Sequence, residues 1–129
     1  MKIDLKKATA TVQGLYYLVT GVWGIVALES FQNLTGPKMD LWLVRVVAAL
    51  VLVIGMVLII SAMRNRLFIE IVLLGAGSAL ALALVETPYA LIGRISPIYF
   101  ADAVLELFFV AGWILGSKRD VKVSQTSKW

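Results

Sequence analysis

The sequence predicts an all-α integral membrane protein, a four-helix bundle within one domain, residues 1–129. Hydrophobic residues make up 60% of the chain, against roughly 45–50% in soluble domains. Four apolar segments are each near the roughly 17–25 residues that a helix needs to cross the hydrocarbon core. Polar breaks separate the segments, and none alternates polar and apolar residues as a barrel strand does. Together these features favour helices, because a helix satisfies its own backbone groups in lipid.

The predicted spans cover residues 11–28, 41–63, 67–86 and 98–116, and a short cytoplasmic tail covers 117–129. Thr35-Gly36-Pro37 breaks the chain after span one, and Asp40 is placed to cap the helix of span two. The connection at 64–66 is so short that spans two and three must form an antiparallel hairpin. Thr87-Pro88 is predicted to end span three, and Ser96-Pro97 to start span four.

Basic residues are distributed unequally between the two sides of this bundle. Of the 12 Lys and Arg residues, one side receives Lys2, Lys6, Lys7, Arg64, Arg66, Lys118, Arg119, Lys122 and Lys128. The other side receives only Lys38, Arg45 and Arg94. The positive-inside rule then places both termini in the cytoplasm, which predicts a multi-pass N-in/C-in protein.

The chain contains no histidine and no cysteine, so the commonest metal ligands and nucleophiles are missing. We therefore expect no metal site, no cofactor and no catalytic residue of a known type. The basic residues lie at the ends of apolar segments instead of forming one basic face, so nucleic acid is not an expected partner. The expected partner is the lipid bilayer. The glycine-rich helix faces also allow a homodimer, which the sequence cannot distinguish from packing within one chain.

Charged residues inside the predicted spans are the main candidates for function. Asp102 and Glu106 are one helical turn apart, about 6 Å and 12 Å from the outer end of span four at 1.5 Å per residue. Arg45 lies about 6 Å from the outer end of span two, and Glu86 lies at the outer end of span three. Charged side chains in a membrane normally face a partner or a cavity. We expect these four to converge in the outer half of the membrane, with Arg45 as the counter-ion of the acids.

Aromatic side chains are expected to complete the wall of this site. Tyr16, Tyr17 and Trp23 lie on span one, and Tyr99 precedes Asp102 by one turn. On span three, a stripe of Gly75, Ala79 and Ala83 should pack against another helix and turn Glu86 towards it. Trp42 and Trp113 are expected at the membrane interfaces.

Three functions are open at this stage. The excess of acid favours a cavity that binds or transports a small organic cation, or that couples a proton to substrate movement. Alternatively, the charges fix helix register in a non-catalytic scaffold or accessory protein. A third alternative is an enzyme acting on a lipid-like substrate with Glu106 as acid and Asp102 as base. The lack of histidine, cysteine and any recognised motif weighs against this enzyme.

Two stretches resemble a family of small bacterial four-span inner-membrane proteins. They are SFQNLTGPKMDLWLVRVV at residues 30–47 and RISPIYFADAVLELFFVAGW at residues 94–113. The resemblance implies a four-helix bundle in the bacterial inner membrane, and it carries no catalytic residues with it. Small multidrug transporters also have four spans, but their essential glutamate lies in the middle of span one, where this chain has Tyr16, Tyr17 and Thr20.

Overall fold

The computed structural model describes residues 4–35, 41–93, 95 and 97–127. These residues form helices joined by short turns, without a strand in the described ranges. The helices are α1 (Leu5–Val26), α2 (Leu28–Thr35), α3 (Leu41–Met63), α4 (Ile69–Leu91) and α5 (Ile98–Ser127). The predicted caps Asp40 and Ser96 lie outside the described residues, as do Lys2, Lys38, Arg94 and Lys128.

In the described part of the chain, three helices are long and apolar enough to cross a membrane, as expected of a membrane protein. They cover Leu41–Met63, Ile69–Leu91 and Ile98–Lys118. Many large apolar side chains on their outer faces are exposed; Phe108, for example, is 69% exposed. The fourth long helix, α1, has 22 residues, but glutamine, threonine and tyrosine make it less apolar than the other three.

Helix α1 packs along α3 through small residues. A Cβ added at Gly14 would lie 3.0 Å from the Gly55 carbonyl oxygen, and one at Gly21 would lie 2.7 Å from the Ala48 carbonyl oxygen. The backbones approach this closely only because no side chain separates them. The two helices run antiparallel and form one tight pair.

Helices α4 and α5 form the second pair. The predicted stripe of Gly75, Ala79 and Ala83 is buried in α4, which confirms that this face packs against other helices. Gly75 accommodates the indole of Trp113, since an added Cβ would lie 2.5 Å from the ring. The prediction that Trp113 lies at a membrane interface is therefore wrong: its side chain is completely buried.

The two pairs join at the end that carries the α3–α4 turn. Asn65 occupies a left-handed conformation in this turn, with φ 54°, and the Lys6 ammonium donates to the Leu67 carbonyl at 3.0 Å. Ala10, Leu58, Ala62, Leu67 and Trp113 form a buried cluster there. Away from this closed end, α3 and α4 make few contacts, so space remains between the pairs.

Several helix ends differ from prediction. A short helix, α2, follows α1 directly, because only Ala27, with a non-helical backbone at φ −124° and ψ 56°, separates them. Helix α4 continues through Pro88 to Leu91, so Thr87-Pro88 does not end it. Proline removes one backbone donor, but the following turn stays packed through the buried Ala90. Pro97 precedes α5 and accepts a hydrogen bond from the Phe100 amide at 3.0 Å.

Candidate functional site

A cavity of about 460 Å³ lies between the two helix pairs. Its walls are mostly apolar and come from α1, α3, α4 and α5. The polar and aromatic lining residues are Tyr16, Tyr17, Thr20, Trp23, Glu86, Tyr99, Asp102 and Glu106. The size falls within the roughly 300–1,000 Å³ typical of small-molecule sites. Seven of the eight predicted site residues thus share one cavity.

Two acids of α5 are hydrogen-bonded to consecutive tyrosines of α1. The Tyr16 hydroxyl donates to Asp102 Oδ1, and the Tyr17 hydroxyl donates to Glu106 Oε2 at 2.6 Å. Glu106 is only 1% exposed and Tyr17 is equally buried. Because Asp102 and Glu106 are one turn apart, neighbouring tyrosines on the antiparallel helix can reach both.

The two tyrosine rings are held in place by an aromatic cluster. Phe109 packs against both, with ring centroids 6.0 Å from Tyr16 and 6.4 Å from Tyr17. The Tyr17–Phe109 contact is edge-to-face, a favourable arrangement for aromatic rings. The rings of Tyr16 and Tyr17 are themselves 6.2 Å apart and tilted. The cluster therefore fixes where the hydroxyl groups point.

The third acid, Glu86 of α4, lacks such a donor. Its Oε2 atom is buried and has no hydrogen-bond partner among the described residues. Its carboxyl group is hydrogen-bonded to that of Asp102 and also interacts electrostatically with those of Asp102 and Glu106. An unpaired buried oxygen is costly, which makes Glu86 the chemically unsatisfied member of the site.

Arg45 does not join the acids, contrary to our expectation. It is exposed and lines a separate surface pocket with Glu29, Ser30 and Asn33. The reason is helical phase: Val44 and Ala48 face the cavity, and the residue after Val44 is rotated by about 100°. Arg94, the other basic residue nearby in sequence, lies outside the described residues.

The buried polar side chain of Gln13 was not predicted as part of the site. Gln13 is completely buried; its Nε2 donates to the Gly75 carbonyl at 2.9 Å, and its Oε1 accepts from Trp113 Nε1 at 2.6 Å. This one side chain connects α1, α4 and α5, one helical turn along α1 from the cavity-lining Tyr17. Its position in the sequence, one turn before Tyr17 in an apolar span, was the available indication.

The site can therefore hold positive charge against carboxylates, with aromatic rings and apolar side chains around it. In the described part of the chain, no group of three acidic, His or Cys residues is arranged to hold a metal ion. Comparisons of the chain with family models, curated proteins and solved structures found no match.

Proposed function

We propose that this chain is a multi-pass protein of the bacterial inner membrane whose cavity binds, and by extension transports, a small organic cation. In this proposal α1 crosses the membrane with α3, α4 and α5 to complete a four-helix bundle. Both termini lie in the cytoplasm, and the cavity lies in the outer half of the bilayer. The unequal number of Lys and Arg residues on the two sides of the bundle supports this orientation.

The main support for a cation-binding function is that the cavity is lined by acidic residues and, in its described wall, by no basic residue. Glu86, Asp102 and Glu106 line it, while no lysine or arginine does among the described lining residues. Carboxyl groups at membrane depth are stabilised by a partner. Since Arg45 is not that partner, a cationic guest is the complement the cavity lacks.

The rest of the wall favours a cation with an apolar body. Side chains such as Val47, Val51, Leu82 and Leu105 surround the acids, so a hydrated metal ion would leave most of the wall uncovered. An aryl or alkyl amine fills such a space and buries apolar surface at roughly 25 cal/mol per Å².

The scaffold alternative makes a different demand on the structure. Charged side chains that serve only to fix helix register should pair directly with one another and leave no cavity between them. Tyr16 and Tyr17 do pair with two acids, but a cavity of about 460 Å³ remains beside them. This volume favours binding over a purely structural role.

The test compares 2-phenylethylammonium with the uncharged 2-phenylethanol by calorimetry on protein in lipid nanodiscs. We expect the cation to bind at least about tenfold more tightly, a difference of about 1.4 kcal/mol. Asp102→Asn should remove that preference. Glu70→Gln is the matched control, because Glu70 is an exposed acid of α4 outside the cavity lining.

Equal binding of the two compounds, or of the cation to wild type and Asp102→Asn, would refute the proposal. Thermal unfolding of each variant checks that lost binding does not come from lost structure.

A further inference from the structure

Resting on the proposed cation site, we infer that the cavity selects cations that carry N–H groups, primary and secondary ammonium ions, over quaternary ammonium ions. The two classes have the same charge. They differ in whether the cationic group can donate hydrogen bonds, so the balance of donors and acceptors in the wall decides between them.

Four side-chain hydrogen-bond donors of the described wall are already engaged. Tyr16 and Tyr17 donate to Asp102 and Glu106. The Thr20 hydroxyl donates to the Tyr16 carbonyl at 2.8 Å, and Trp23 Nε1 donates to the Ser30 hydroxyl at 2.8 Å. Tyr99, the remaining donor, also has an interaction partner.

The acceptors of the wall are in excess over these donors. An ionised carboxylate only accepts, through about four lone-pair sites on two oxygens. Asp102 and Glu106 each receive one tyrosine hydroxyl. Glu86 is hydrogen-bonded to Asp102, but its Oε2 atom has no partner among the described residues. A guest that brings several donors on one positive charge matches this excess, whereas a tetraalkylated nitrogen brings none.

Tyr16 and Tyr17 do not offer open ring faces, which a binding box for a quaternary ammonium ion would need. Such boxes present open ring faces to the cation. Here Tyr16, Tyr17 and Phe109 pack on one another in tilted and edge-to-face contacts, with centroids 6.0–6.4 Å apart. Their faces are largely used within the cluster, and their hydroxyls are directed at carboxylates.

The experiment measures the dissociation constants of 2-phenylethylammonium and of its N,N,N-trimethyl form by calorimetry in nanodiscs. For wild type we expect the unmethylated ion to bind at least about tenfold more tightly, the effect of about one charge-assisted hydrogen bond. Glu86→Gln should reduce this ratio severalfold, because the amide replaces one acceptor oxygen by a donor. Glu70→Gln should keep the wild-type ratio.

The outcomes separate this inference from the proposed function. A trimethyl form that binds as tightly as the unmethylated ion, or a ratio unchanged in Glu86→Gln, overturns the inference and leaves the cation site standing. Failure of both cations to bind overturns the proposed function itself.

Discussion

At the scale of single residues, Asp102 and Glu106 are partnered by tyrosine hydroxyls and not by a guanidinium group. Tyr17 and Glu106 are both 1% exposed, and their 2.6 Å hydrogen bond joins α1 to α5. A tyrosine hydroxyl satisfies a carboxylate without bringing a compensating charge. The described wall of the site contains three carboxyl groups and no basic side chain.

Removing one of these hydroxyls should destabilise the fold. We expect Tyr17→Phe to lower the free energy of unfolding by about 1–3 kcal/mol, the cost of leaving a buried partner unsatisfied. Tyr89→Phe is the control, because Tyr89 is 45% exposed, and it should stay within about 0.5 kcal/mol. Equal thermal stability of the two variants would contradict this expectation.

The residue types of the site could be predicted from sequence, but the direction of one key side chain could not. Asp102, Glu106 and Glu86 stand out because charges are rare in apolar spans. Arg45 is one residue from the cavity-facing Val44, and this single step turns it away. The rotation of α3 about its own axis decides which of these neighbouring residues faces the cavity. That rotation depends on how α3 packs against α1, which the sequence of α3 alone does not determine.

At the scale of helices, small residues decide which faces meet. Gly14, Gly21 and Gly55 let α1 and α3 approach to backbone contact, and Gly75 makes room for Trp113. The stripe at Gly75, Ala79 and Ala83 was predictable because its spacing repeats at the helical period. The short helix α2 and the continuation of α4 through Pro88 were not, since local propensity argued for a loop and a helix end.

A pair of glycine substitutions tests this packing. In Gly21→Ala the new Cβ would lie 2.7 Å from the Ala48 carbonyl oxygen and 2.9 Å from Leu52, so we expect a loss of about 1–3 kcal/mol. In Gly77→Ala nothing lies within 4 Å of the new atom. That control should be neutral or gain up to about 1 kcal/mol. Urea or thermal unfolding in detergent measures both, and a reversed order would disprove the close approach.

At the scale of the whole molecule, the proposed orientation requires α1 to cross the membrane together with α3, α4 and α5. The lengths and compositions of α3, α4 and the first 21 residues of α5 mark three helices able to cross. Helix α1 packs with them despite its more polar composition. Its crossing would put α2 and the α3–α4 turn on opposite sides.

Cysteine labelling can establish this orientation, because the natural chain has no cysteine. We expect Asn33→Cys to react with a membrane-impermeant maleimide in intact cells, and Asp4→Cys and Asn65→Cys to react only after permeabilisation. All three positions are exposed on the protein. Labelling of positions 4 and 33 from the same side would show that α1 does not cross.

The sparse contact between α3 and α4 has a consequence for how a guest arrives. These helices are consecutive, yet they approach mainly near their shared turn, and Val47 and Glu86 on them both line the cavity. In a bilayer, a gap between neighbouring helices opens sideways onto acyl chains. An amphiphilic amine already dissolved in the leaflet could then enter without returning to water, so its partition coefficient would set its occupancy as much as its aqueous concentration does.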